Sequence, residues 1–165
     1  MSGAPRERTD GAVSPVDLVL AALRDGGVAA EVRRFDEPVP TAAAAAAALG
    51  CEVGAIANSL VFEADGAPLL VLASGAHRVD TGKVAALIGA QRVRRASPEF
   101  VLAATGQEVG GVAPVGHPAP LRTVVDTDLA AFPLLWAGGG DHHTMVSATY
   151  AELLRLTAGE AAAVA

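Results

Sequence analysis

At 165 residues, 52% of them apolar, the chain is long enough for one domain that buries most of the surface its unfolded form exposes. Much of the apolar share is alanine, and four Phe, one Trp and one Tyr make up the aromatic complement, so the core is aliphatic. A formal net charge of −6, from 12 Lys and Arg against 18 Asp and Glu, excludes strong non-specific binding to DNA or RNA and leaves room only for a local RNA contact.

Residues 1–13 mix Gly, Pro, Arg and acidic groups without periodicity, which reads as a disordered leader ahead of one domain at 14–165. Ser14-Pro15-Val16-Asp17 has the pattern of an N-cap with Pro at the first helical position, and the helix it opens should end near Gly26-Gly27. Val28 to Phe35 alternates as a strand does. Thr41 then caps an alanine run that ends at Gly50. Ala55 to Glu63 and Pro68 to Ser74 are β-rich runs joined through Asp65-Gly66, the signature of an antiparallel hairpin. Asp80-Thr81-Gly82-Lys83 opens a short helix ending at Gly89, and Arg92 to Arg95 is a strand or its approach. Ser97-Pro98-Glu99 opens another short helix. Thr105 to Gly116 is too dense in Gly and Pro for a regular element. Arg122 to Asp126 and Leu134 to Ala137 read as strands, and Tyr150 to Leu156 as a closing helix. Strands outnumber the crossovers that would link them in parallel. The expected class is therefore α/β of the α+β kind, a mixed, largely antiparallel sheet surrounded by helices.

Several residues have two readings. Gly110 and Gly111 carry no side chain, so their backbone N–H groups can approach a substrate carbonyl and stabilise an oxyanion, although a plain turn satisfies the same composition. Asp141-His142-His143 resembles a metal or proton-transfer cluster, yet adjacent side chains of an extended segment face opposite ways, which favours solvent-exposed or loop-stabilising histidines over one that lines a pocket as a proton-transfer group. Asp80 has the chemistry of a base and the position of an N-cap, and Asp126 divides in the same manner. Arg78, Arg92, Arg94 and Arg95, joined by Arg122, form either a local RNA-binding patch or a solvated charged edge. Cys51 is the single cysteine, which excludes an intramolecular disulfide and a zinc site of the cysteine type and suits a reducing cytoplasm. The polar segment Met1 to Asp10 lacks the apolar stretch of a signal peptide, and no run is long and apolar enough to span a membrane.

Over roughly residues 17 to 160 the chain resembles the YbaK/ProX family, relatives of the editing domain inserted in bacterial prolyl-tRNA synthetases. The likeness is carried by Ala55-Ile56-Ala57-Asn58-Ser59-Leu60-Val61-Phe62, Arg78-Val79-Asp80 with Lys83, and Ser97-Pro98-Glu99. It continues through Thr105-Gly106 with Gly110-Gly111-Val112-Ala113-Pro114-Val115-Gly116, then Val124-Val125-Asp126 and Trp136-Ala137-Gly138-Gly139-Gly140. The resemblance implies a curved sheet and metal-independent, cofactor-free hydrolysis of the ester between a wrong amino acid and the terminal adenosine of tRNA. Its partner is then the acceptor end of a mischarged aminoacyl-tRNA, with no membrane and no DNA.

By the same resemblance Gly110 positions the scissile ester, with Gly111 and Pro114 shaping the loop, and Asn58 occupies a position that is commonly lysine. Asparagine donates hydrogen bonds but brings no charge. Gly110, Asn58 and Gly111 are thus the candidate catalytic set, and Phe35, Ser59, Val112, Pro114, Gly138 and Thr144 the candidate substrate contacts. Phe35 stands where some relatives have tyrosine and Thr144 near an aspartate of the cysteine-specific branch, so that branch's substrate does not carry over. A non-catalytic module binding an aminoacyl group or small metabolite is the alternative from another class, and a hydrolase using a metal at Asp141, His142 and His143 is a third.

Overall fold

The computed structural model describes residues 13–165; of the leader expected over 1–13, residues 1–12 lie outside them. Helices are α1 (Pro15–Asp25), α2 (Ala42–Leu49), α3 (Thr81–Ile88), α4 (Pro98–Thr105) and α5 (Tyr150–Thr157). Strands are β1 (Val32–Arg34), β2 (Ile56–Ala64), β3 (Ala67–Ser74), β4 (Val93–Arg95), β5 (Arg122–Asp126), β6 (Leu135–Gly138), β7 (Thr144–Ala148) and β8 (Glu160–Ala162). They form one mixed sheet in the order β1-β7-β6-β2-β3-β5-β8, with β4 added to β2 beside that path. The pairings β2–β6, β3–β5 and β5–β8 are parallel and the others antiparallel.

Local chemistry sets these boundaries. Ser14 accepts the Asp17 N–H while the Asp17 carboxylate accepts the Ser14 N–H, a reciprocal cap that starts α1. Thr41 and Gly50 bracket α2 as the sequence requires, Thr41 Oγ1 accepting from Ala44 and Gly50 sitting at φ +71°. Asp65 and Gly66 both take positive φ, the geometry of a two-residue hairpin turn, and they fix the β2–β3 register at Ala64 opposite Ala67.

Leu69 to Ala73 of β3 are completely buried, because helices or loops cover both faces of the central strands. One face packs Leu70, Leu72 and Val125 against Val19 and Leu23 of α1 and Leu153 of α5. The opposite face packs Leu69, Val71 and Val124 against Val84 and Ile88 of α3. A third cluster joins Ala45 and Ala46 of α2 to Ile56, Trp136 and Met145, where the small alanine side chains let the helix lie close to the sheet. Burying one such leucine stabilises the fold by about 1.5–3 kcal/mol.

Three elements depart from the sequence reading. The strand expected over Val28 to Phe35 is confined to Val32–Arg34, because the Val28 N–H returns to the Leu23 carbonyl (2.9 Å) to close the end of α1. Strands β7 and β8 were not expected. β7 reads Thr-Met-Val-Ser-Ala and is buried at every position, so it shows no alternation, and β8 has only three residues.

Candidate functional site

The site begins as a gap in the sheet. On one edge β2 pairs with β6 only at Ile56 and Ala57 and with β4 only at Phe62 to Ala64, which leaves Asn58 to Val61 unpaired on that side. A cavity of about 600 Å³ opens against this edge. Its walls are largely aliphatic, with Val39, Ala45, Ile56 and Met145 on the α2 side and Val101 and Val112 opposite. Asn58 and Ser59 project from β2, Gly110 and Val112 come from the Gly-rich loop, Gly138 from the end of β6, and Arg78 and Arg95 from the rim. The Asn58 amide has no hydrogen-bond partner among the described residues, and Ser59 Oγ is buried without one. An amide without a partner among the described residues, in a largely apolar cleft, is what a polar ligand group would meet.

The Gly-rich loop is fixed from within. Gln107, 1% exposed, accepts the Ala113 N–H through Oε1 (2.7 Å) and donates through Nε2 to the Val115 carbonyl (3.2 Å), while Thr105 Oγ1 accepts the Gln107 N–H. The turn Gly138–His143 fixes it from outside: the Gly140 N–H donates to the Gly111 carbonyl (3.1 Å) and His142 Nε2 to the Val109 carbonyl (2.8 Å). Gly110 adopts φ +91°, and its N–H meets no acceptor among the described residues. Gly111 is different. Its N–H donates to the Glu108 carbonyl (2.9 Å), and a Cβ there would fall 2.7 Å from the Asp141 backbone, so this glycine permits close packing.

The remaining expected contacts lie elsewhere. Pro114 faces a second cavity of about 490 Å³, on the far side of the loop, with His117 and Arg155. Burial pushes the His117 imidazole below its ordinary value, while its Nε2–H donates to the Ala113 carbonyl (2.9 Å). Phe35 packs in the third cluster, with the Arg33 guanidinium 5.8 Å from its ring centre. Thr144 is 1% exposed in β7, its hydroxyl unpartnered among the described residues. Arg94 pairs with Glu63 (3.0 Å), and Arg92 sits where the Asp65 carboxylate accepts its N–H (2.9 Å). Arg122 donates to the Ile88 carbonyl at the end of α3. Of the arginines considered, Arg78 and Arg95 are the two that reach the cavity.

Asp80 caps α3, accepting the Lys83 N–H (3.0 Å). His142 and His143 bond to separate backbone carbonyls, those of Val109 and Phe35, and Asp141 Oδ1 accepts the His143 N–H. Their side chains therefore bind loops together. Burial pushes the Cys51 thiol up from its ordinary value, as for an inert small residue. Sequence reasoning missed His77, which lines the cavity and lies between two carboxylates, Nδ1 2.8 Å from Asp126 and Nε2 2.9 Å from Asp128. Asp126, almost fully buried, also accepts the Ser74 and Asp128 N–H groups. These three residues bring their ligand-type atoms within 4.8 Å of one another, but each ring nitrogen already faces its own carboxylate, so the group is complete as a latch for the segment before α3. No sequence signal marks His77, because its partners lie far along the chain.

Residues 36–156 match the model of the aminoacyl-tRNA editing domain. The chain belongs to that family. Among curated proteins, the editing domain is similar to the uncharacterized protein YwhH of Bacillus subtilis, 31% identical over 124 residues that cover 74% of this chain and 78% of that protein. It is also similar to proline–tRNA ligase of Bacillus licheniformis, 34% identical over 134 residues, or 78% of this chain but 23% of the ligase. The editing domain thus spans about a quarter of that ligase. A solved structure described as a candidate trans-editing enzyme for prolyl-tRNA synthetase superposes with a TM-score of 0.85 at 41% identity, covering 93% of this chain and 98% of that one. Hypothetical protein APE2540 superposes at 0.83 with 29% identity, covering 89% and 98%. Among the described residues no helix is long and apolar enough to cross a membrane.

Proposed function

We propose that the chain is a trans-editing deacylase that hydrolyses the ester of mischarged aminoacyl-tRNA, working in the cytoplasm where tRNA is charged. The observation that carries this reading is the meeting of Asn58 and Gly110 in one cavity, each offering an N–H donor without a partner among the described residues. Water attacks the ester carbonyl, the bond from that carbon to the ribose oxygen breaks, and the products are a free amino acid and an uncharged tRNA. In this reading the Gly110 N–H meets the oxyanion that forms during attack, and the Asn58 amide meets the polar end of the aminoacyl group. Arg78 and Arg95 at the rim supply a local positive contact for the phosphates of the acceptor end, which an acidic protein needs. The work done by the protein is orientation and electrostatic stabilisation, without a metal or cofactor.

A second reading rests on Asn58 itself: where the resemblance implies a lysine charge, this strand offers only an amide, which would suit an aminoacyl-binding module that performs no chemistry. Incubating a catalytic amount of protein with a panel of mischarged tRNAs separates the two. Release of many equivalents of amino acid from one member of the panel supports the deacylase, and stoichiometric binding with no release supports the module.

A further inference from the structure

We infer that His142 is a positioning residue that holds the Val109–Gly110 peptide so that the Gly110 N–H points into the cavity; the inference rests on the deacylase reading above. His142 Nε2 lies 2.8 Å from the Val109 carbonyl oxygen, and since a carbonyl only accepts, Nε2 carries the proton. There are no cis peptide bonds among the described residues, so the N–H of this peptide points opposite to its C=O. Fixing the carbonyl on His142 therefore fixes the N–H on the other side. Gly110 and Val109 line the cavity and His142 does not, which puts the histidine behind the peptide and the free N–H toward the ligand space.

The need for such a latch follows from the loop's composition. At φ +91° Gly110 sits where glycine moves freely, and the next residue, Gly111, is equally permissive by type, so the local chain does not hold this peptide plane unaided. The Gln107 brace reaches Ala113 and Val115, downstream of the peptide in question. His142 is itself held in place. Its carbonyl accepts the Val39 N–H (2.7 Å), and the neighbouring His143 bonds to Phe35 through both its carbonyl and its ring. The turn after β6 thereby serves as a rigid support for a mobile type of peptide.

The test compares the full-length wild type with His142→Ala and His142→Gln, because a glutamine amide can reach the Val109 carbonyl from the same backbone position. On a mischarged tRNA that the wild type turns over, His142→Ala should lower kcat about tenfold, less than the hundredfold or more expected on deleting an oxyanion donor outright. KM should stay within about twofold and His142→Gln should recover most of the rate. The Gly110 amide resonance, read by ¹H–¹⁵N NMR, should shift selectively in the alanine variant and return toward wild type in the glutamine variant. An unchanged kcat in His142→Ala, an equal loss in His142→Gln, or an unmoved Gly110 resonance overturns the inference. A wild type inactive on every mischarged tRNA sinks the deacylase reading, and the Gly110 resonance still decides whether His142 holds that peptide.

Discussion

A Cβ at Gly110 would lie 3.3 Å from His142 Nε2, and as close to the Pro40 carbonyl oxygen, so this glycine is pressed between two loops at the edge of the cavity. Gly110→Ala puts a methyl group into that contact and into a backbone region at φ +91° that an L side chain rarely adopts. The strain costs on the order of 1–3 kcal/mol, and the loop must shift to relieve it. Deacylation should fall by well over tenfold while the melting temperature drops by only a few degrees. Equal, mild losses in both would favour a plain turn.

Asn58 offers the complementary test. Removing its amide by Asn58→Ala should cost on the order of 1–3 kcal/mol in transition-state binding, the range for a polar partner left unsatisfied. Asn58→Lys restores the residue implied by the family resemblance at the unpaired edge of β2 and should raise tRNA affinity or turnover. If the lysine variant folds but is inactive, the pocket has specialised around asparagine. No change with either substitution would remove Asn58 from the mechanism.

Much of the architecture was legible because local signals agree with the tertiary structure. Ser14, Thr41, Asp80 and Ser97 cap helices where their patterns indicate, and Asp65-Gly66 turns the hairpin. The Gly-rich loop and Asn58 could be singled out by family resemblance, but their meeting in one cavity depends on where β2 stops pairing with β6, which no local pattern encodes. β7 stayed hidden because full burial erases the period-two alternation that marks a half-buried strand. Gln107 and His77 stayed hidden for a related reason. Each is a polar residue whose role exists only through partners brought to it by the fold.

The rim arginines predict the salt response of RNA binding. With Arg94 committed to Glu63, Arg78 and Arg95 are the cations at the cavity mouth, so about two phosphate contacts are expected. The logarithm of the tRNA association constant should then fall against log salt with a slope of about −1.4, as for two contacts to a single strand. Replacing both arginines by glutamine should flatten the slope toward zero. A steep slope, or one insensitive to that double substitution, would locate RNA binding elsewhere.

His117 predicts a pH dependence of stability. Its burial depresses the folded-state value below the ordinary 6.5, so the unfolded chain binds the proton more readily. Stability from this group is fully present above 6.5 and is lost as pH falls from there through the folded-state value. His117→Gln can keep a donor to the Ala113 carbonyl without titrating, and its chemical-denaturation midpoint should fall less than that of wild type between neutral and mildly acidic pH. Parallel curves for the two proteins would contradict the assignment.

Whether the ester is held between Asn58 and Gly110 can be read from an NMR titration of the ¹⁵N-labelled protein with adenosine carrying a non-hydrolysable 3′-aminoacylamide. The Asn58 side-chain amide and the Gly110 backbone amide should shift most, with Ser59 and Val112 following and the far cavity around His117 unaffected. Shifts centred on His117 and Arg155, with Asn58 and Gly110 unmoved, would contradict it.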